Sequence, residues 1–252
     1  MMKKILAALQ FLTIFPIGTQ TTDKKDLGPA LIYFPVIGIF IGLILAATAV
    51  ILQSLGFREL PLSIMVILAL TAITGGLHLD GLADTTDGLY GRKEKNDILG
   101  IMRDPHIGTI GVLAIVSALL LKIAFFYSLT DGLKIPALFL MCLLSRWTMV
   151  MLIYLFPYAR EEGKAKAFID GVDLKIFGIA TAITVISAGL IWRGKGLIAW
   201  IITAVIAFLI GKLIAKKIGG ITGDVLGATN EIVEVICLFT MCVLGGTRLW
   251  LM

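Results

Sequence analysis

The sequence predicts an all-α fold, a polytopic transmembrane helical bundle of about seven spans with a further N-terminal helix at the interface. Three observations predict it. Hydrophobic residues make up 58% of the 252, and a mean hydropathy of +0.99 lies far above ordinary soluble composition. Several runs approach the roughly 20 apolar residues a helix needs to cross a hydrocarbon core about 30 Å thick. Charge is largely confined to the short connections between those runs, as expected where lipid leaves polar groups unsatisfied.

The elements follow in order. Met1 to Gly18 places Lys3 and Lys4 before an apolar run, in imitation of a secretory signal, but has no small-x-small cleavage site. Phe11, Phe15 and Pro16 suit a short helix lying at the interface. Seven spans are then drawn, at about Ala30 to Leu52, Leu62 to Leu77, Ile107 to Leu129, Pro136 to Phe156, Leu174 to Trp192, Leu197 to Ile214, and Ile232 to Trp250. The second is short for a bilayer and ends in Gly75-Gly76, so its helix is expected to continue into, or break at, the polar segment that follows. No repeat, low-complexity tract or linker interrupts the chain, which reads as one integral membrane domain over 1–252.

With the N-terminus inside, thirteen Lys and Arg residues fall on cytoplasmic segments, among them Arg92, Lys93 and Arg103. The opposite side holds four, Arg58, Lys134, Arg193 and Lys195, so the excess of positive charge orients the chain in the cytoplasmic (cell inner) membrane. The net charge of +5 is thereby an orientation signal. No basic stripe is present, so no nucleic-acid partner is expected. Acidic residues divide the same way, with only Glu59 and Asp131 outside. Topology does not require that bias, and a metal-dependent site facing the cytoplasm would account for it. Cys142, Cys237 and Cys242 lie inside apolar runs and read as packing residues, without disulfide or metal-ligand spacing.

The chemistry concentrates in Gly75 to Thr109. Asp80, Asp84 and Asp87 stand at i, i+4 and i+7, on one face of a helix within two turns. Like charges so placed repel unless a cation neutralises them, and hard oxygen ligands point to Mg²⁺ or Mn²⁺. Gly81, Ala83 and Gly88 leave room for close approach of another helix or a ligand. Mg²⁺ keeps water and binds substrate phosphates, so a phosphate-bearing substrate is implied. Arg103 is the best candidate to fork onto a diphosphate. His78 reads as base, ligand or interfacial residue. A second cluster, Gly219 to Glu234, carries Asp224, Glu231 and Glu234 beside Gly223 and Gly227. A third segment, Tyr158 to Lys164, could close over a substrate. Within the spans, Arg146 is expected to face the bundle interior and pair with a carboxylate; Lys122 has no assignment.

Taken together these segments resemble the cobalamin synthase family, the membrane adenosylcobinamide-GDP ribazoletransferases. The resemblance rests on FLTIFP at Phe11 to Pro16, GGLHLDGLADTTDG at Gly75 to Gly88, IMRDPHIGTIG at Ile101 to Gly111, SRW at Ser145 to Trp147, YAREEGK at Tyr158 to Lys164 and GDVLGATNE at Gly223 to Glu231. Pro105 departs from the small polar residue expected there and leaves Arg103-Asp104 in place. The resemblance implies transfer of the adenosylcobinamide phosphate moiety of adenosylcobinamide-GDP to α-ribazole, or its 5′-phosphate, with release of GMP. It implies Mg²⁺ on Asp80, Asp84 and Asp87, with Asp224 a further ligand; Asp84 as the carboxylate whose loss abolishes transfer; and Asp87 or His78 as base. Arg103, Asp104, Arg160 and Lys164 would bind substrate, with Arg103 on the diphosphate, and Asn230 and Glu231 would build the opposite wall. A homo-oligomer, or association with other cobamide-assembly enzymes, is compatible with it. A CDP-alcohol phosphotransferase is disfavoured because Asp84, not Arg, follows Ala83. An ion-coupled transporter would place its carboxylates on broken helices near the midplane.

Overall fold

Apolar runs of this length, with backbone groups that only their own segment can satisfy, dictate helices, and the computed structural model is built of them. It describes residues 2–15, 24–91, 94–163 and 166–245, the side chains of 24–26 excepted. In chain order the helices are α1 (Met2–Leu12), α2 (Lys24–Ala30), α3 (Phe34–Ser54), α4 (Glu59–Thr74), α5 (Leu77–Leu89), α6 (Lys95–Ile101), α7 (Thr109–Ser128), α8 (Asp131–Leu155), α9 (Lys166–Ile169), α10 (Leu174–Ile218) and α11 (Gly223–Gly245). One 3₁₀ turn, Leu31–Tyr33, joins α2 to α3.

Five of these are long and apolar enough to cross a membrane, and six if α4 and α5 count as one bent span. The 45 residues of α10 would make a rod of about 67 Å, twice what a bilayer needs. Its backbone leaves helical values at Trp192 and Arg193. Beyond that break Gly196 comes so close to Ala188 that a Cβ on it would lie 2.0 Å from the Ala188 carbonyl oxygen. The chain therefore reverses here, and α10 holds both spans expected on either side of Arg193. The exposed large hydrophobics of α3, α7 and α10, such as Leu43, Leu120 and Leu190, are the lipid-facing surface of a multi-pass membrane protein.

α8 lies at the centre, buried almost throughout from Ala137 to Ile153, with α3, α10 and α11 around it. α1 belongs to the folded body: Ala7, Ala8, Leu9 and Leu12 are buried, and Phe11 stacks on Phe34 and meets Phe168 at a tilt, with centroids 5.7 and 4.6 Å apart. At one end of the bundle Lys134 pairs with Glu59 and lies 3.9 Å from Asp131, the two acidic residues assigned to the outer side.

The break after α4 falls at Gly75-Gly76. Both glycines take positive φ, 62° and 70°, a conformation in which a side chain is strained, and the axis turns by 87° into α5. That turn lays α5 against α11 and α7. The small residues set the approach: a Cβ on Gly81 would lie 2.8 Å from the Asp224 carbonyl, and one on Gly227 would lie 3.2 Å from the His78 Cα.

Candidate active site

α5, α11, α8, the ends of α1 and α4, and two connecting segments line a cavity of about 760 Å³, whose wall includes His78, Asp80, Arg103, Tyr158, Arg160 and Asp224. Its architecture starts from local hydrogen bonding. Pro157 to Ala159 runs beside Ile221: the Ile221 N–H donates to Pro157 O at 2.8 Å and the Ala159 N–H to Ile221 O at 2.9 Å. Thr222 accepts from the Val225 N–H at 3.3 Å, satisfying one free donor at the start of α11. These bonds hold Arg160 and Asp224 face to face, and Arg160 Nη2 donates to Asp224 Oδ2 at 2.7 Å. The Thr222 hydroxyl adds a bond to the same oxygen at 3.3 Å.

The three aspartates of α5 share a face, as their spacing predicts, but that face meets different neighbours along its length. Asp80 is exposed and opens on the cavity. Asp84, one turn on, is half-buried and lies in the field of Asp80, Asp224, Arg160 and Asp87. Asp87 accepts from the Gly108 N–H at 2.7 Å and the Gly111 N–H at 2.8 Å. It thus caps α7, where a carboxylate also complements the positive end of the helix dipole.

Arg103 reaches the cavity from the turn between α6 and α7. Asp104 does not line it: its carboxylate takes the His106 N–H at 2.9 Å. That bond to the His106 backbone, followed by the His106 ring, holds the Asp104 carboxyl below its ordinary range. Burial raises the Tyr158 phenol above its usual value, so the hydroxyl stays protonated at neutral pH and can donate. Lys164, like Arg92 and Lys93, lies outside the described residues.

Asn230 and Glu231 lie one layer deeper, in a charge network that joins three helices. Lys122 of α7 donates to Glu231 at 2.6 Å and also pairs with Glu234. Glu234 receives Arg146 of α8 and, at 3.1 Å, the Asn230 amide. Arg146 pairs with a carboxylate as its position within a span suggests. Lys122 was illegible in the sequence because its partners lie more than 100 residues away; the one available signal was a second unpaired charge in an apolar run beside a Glu-x-x-Glu pair. His78 stands between this network and the cavity. It is 2% exposed, and neither ring nitrogen has a hydrogen-bond partner among the described residues.

Whether the acidic residues suit a metal follows from these positions. No group of three His, Cys, Asp or Glu among the described residues is gathered tightly enough to hold an ion by itself. Asp80, Asp84 and Asp224 nevertheless bring three carboxylates to one region with Arg160 as the paired countercharge. That excess of negative charge fits Mg²⁺, which takes one or two protein carboxylates and completes its shell from water and substrate phosphates.

The family model described as cobalamin-5-phosphate synthase matches residues 4–242. The chain is 36% identical over 241 residues to an adenosylcobinamide-GDP ribazoletransferase of Desulforamulus reducens, covering 95% of this chain and 96% of that one. It is 36% identical over 246 residues to one from Caldanaerobacter subterraneus subsp. tengcongensis, covering 96% and 99%. To one from Escherichia coli O127:H6 it is 36% identical over 248 residues, covering 96% and 100%. No solved structure matches the chain.

Proposed function

This chain belongs to the cobalamin-5-phosphate synthase family, and on that premise we propose how the cavity beside α5 carries out the reaction. The activity is that of an adenosylcobinamide-GDP ribazoletransferase, the final step of cobalamin synthesis. A ribose ring hydroxyl of α-ribazole, one that its 5′-phosphate also retains, attacks the cobinamide-side phosphorus; a new P–O bond forms, the bond to the bridging diphosphate oxygen breaks, and GMP leaves with that oxygen.

The observation that carries the site assignment is the convergence of Asp80 and Asp224 with Arg103 and Arg160 on one cavity. Arg103 and Arg160 bind the diphosphate oxygens and neutralise charge that grows on the departing phosphate. Asp224 orients Arg160, and the hydrogen-bonded strip from Pro157 to Ile221 fixes both. Asp80 and Asp84 would hold Mg²⁺, with Asp224 the nearest further carboxylate; when bound, the ion supplies neutralisation of the diphosphate. Holding donor and acceptor in line does most of the remaining work.

His78 accepts the hydroxyl proton. Asp87 has both oxygens engaged by backbone N–H groups, whereas His78 lines the cavity and its buried ring nitrogens have no hydrogen-bond partner among the described residues. The site faces the cytoplasm, where positive charge concentrates, and the membrane is the cytoplasmic one. Asp80→Asn and Asp84→Asn test the assignment. Each should lower α-ribazole-dependent GMP release by at least about 100-fold, in protein that inserts and melts as wild type does. Near-normal rates in both would remove the metal-binding role given to this face of α5.

A further inference from the structure

The two sides of the cavity differ in kind. One carries Asp80, Asp224, Arg103 and Arg160. The other is formed where α1 meets the end of α4, by Gln10, Phe11, Thr13, Thr74 and Leu77, with Met102 and Met149 nearby, so that Gln10 is its one amide among the described residues. The hydroxyls on this side are already spent inside their own helices: Thr13 donates to Leu9 O at 2.7 Å and Thr74 to Leu70 O at 3.0 Å. What they leave for a ligand is largely methyl surface. Phe11 is only half-buried, although its ring is held by Phe34 and Phe168, so part of a rigid aromatic surface remains available at the cavity.

Size narrows the occupant. About 760 Å³ falls in the range of roughly 300–1,000 Å³ that encloses a drug-sized molecule. A nucleoside and the reacting phosphates fit such a space, whereas a corrinoid macrocycle with its adenosyl ligand and side chains does not. Polarity narrows it further. Guanine presents hydrogen-bonding groups along most of its edge, more than the single Gln10 amide on this side could pair, and seating it here would leave most of them unpaired at a cost. The methylated benzimidazole of ribazole is flat and apolar and asks for stacking and methionine contacts, which this side offers.

We propose that the α1–α4 side of the cavity seats the aromatic base of the acceptor, with Phe11 as its stacking partner, while the donor's macrocycle stays outside the cavity mouth. This rests on the transferase reading above. The arrangement places the acceptor's ribose between the apolar side and the arginines, so that a ribose ring hydroxyl points toward the bound diphosphate. It also gives the N-terminal helix a part in acceptor selection.

Steady-state kinetics of the purified protein with the two substrates varied separately test the proposal. Phe11→Ala should raise KM for α-ribazole at least about tenfold and leave KM for adenosylcobinamide-GDP within about twofold. Phe11→Leu keeps contact with Phe34 and Phe168, and should show a smaller rise with the same selectivity; it decides the matter if the alanine variant does not fold. A rise confined to the donor, an equal rise for both substrates, or unchanged constants in variants that melt like wild type would overturn the acceptor seat. Wild-type protein that releases no GMP in response to α-ribazole would instead overturn the transferase reading, and this inference with it.

Discussion

Arg160 and Asp224 lie 64 residues apart and meet at 2.7 Å across the cavity. The contact makes the loop after α8 and the start of α11 into one surface. Arg160→Lys keeps the charge but loses the planar fork that can serve Asp224 and a phosphate together. We expect a fall in kcat/KM of about 10- to 100-fold, expressed mainly against adenosylcobinamide-GDP, and a larger fall for Arg160→Ala. Kinetics with the donor varied check it; a loss expressed against α-ribazole alone would contradict the assignment.

Asp87 separates a capping role from a metal role. Replacing a capping carboxylate costs about 1 kcal/mol, and in a chain of this length each kcal/mol lowers Tm by roughly 2–4 °C. Asp87→Ala should therefore melt a few degrees lower while retaining most of its activity per folded molecule. Asp87→Ser should recover part of the stability. An unaltered Tm with abolished transfer would return Asp87 to the reacting groups.

Lys122 neutralises Glu231 and Glu234 in the bundle interior. Removing one partner of a buried pair leaves an uncompensated charge and costs about 3–5 kcal/mol. Lys122→Met should sharply reduce the yield of folded protein in detergent. The double variant Lys122→Met with Glu231→Gln should recover much of it, as judged by monodisperse elution and melting temperature. Equal loss in single and double variants would show that the pairing contributes nothing.

Gly81 packs against the backbone of Asp224, where a Cβ would lie 2.8 Å from a carbonyl oxygen. Backbone cannot yield as a flexible side chain can, so Gly81→Ala should push α5 away from α11. It should lower transfer at least about tenfold without removing any chemical group. Normal activity in this variant would mean that the two helices do not set the site's spacing.

Much of this was legible in the sequence, for physical reasons. Span lengths follow from bilayer thickness, and the Gly75-Gly76 break from the only residue type that takes positive φ without strain. The spacing of Asp80, Asp84 and Asp87 gives their common face, and Gly81 and Gly227 announce close helix packing. What periodicity could not supply was the neighbour each side chain meets. Asp87 shares a face with Asp80, yet meets the start of α7 instead of the cavity. Glu231 reads as a wall residue because Lys122, its partner, sits in another span. Asp104 follows Arg103 immediately, but turns back on His106 while the arginine reaches the cavity. The reversal at Trp192 and Arg193 was legible as two spans around Arg193 and Lys195, since no single helix of that length suits a bilayer.

The central claim is that carboxylates on α5 and arginines beside them bind a divalent cation and a diphosphate for transfer to ribazole. Its most direct test follows GMP release from purified protein in detergent, given adenosylcobinamide-GDP and Mg²⁺, with and without α-ribazole and with and without chelator. GMP release that requires α-ribazole, stops on chelation and returns when Mg²⁺ is restored is the expected result. Release that persists undiminished in chelator, or none at all from folded protein supplied with both substrates, would contradict it.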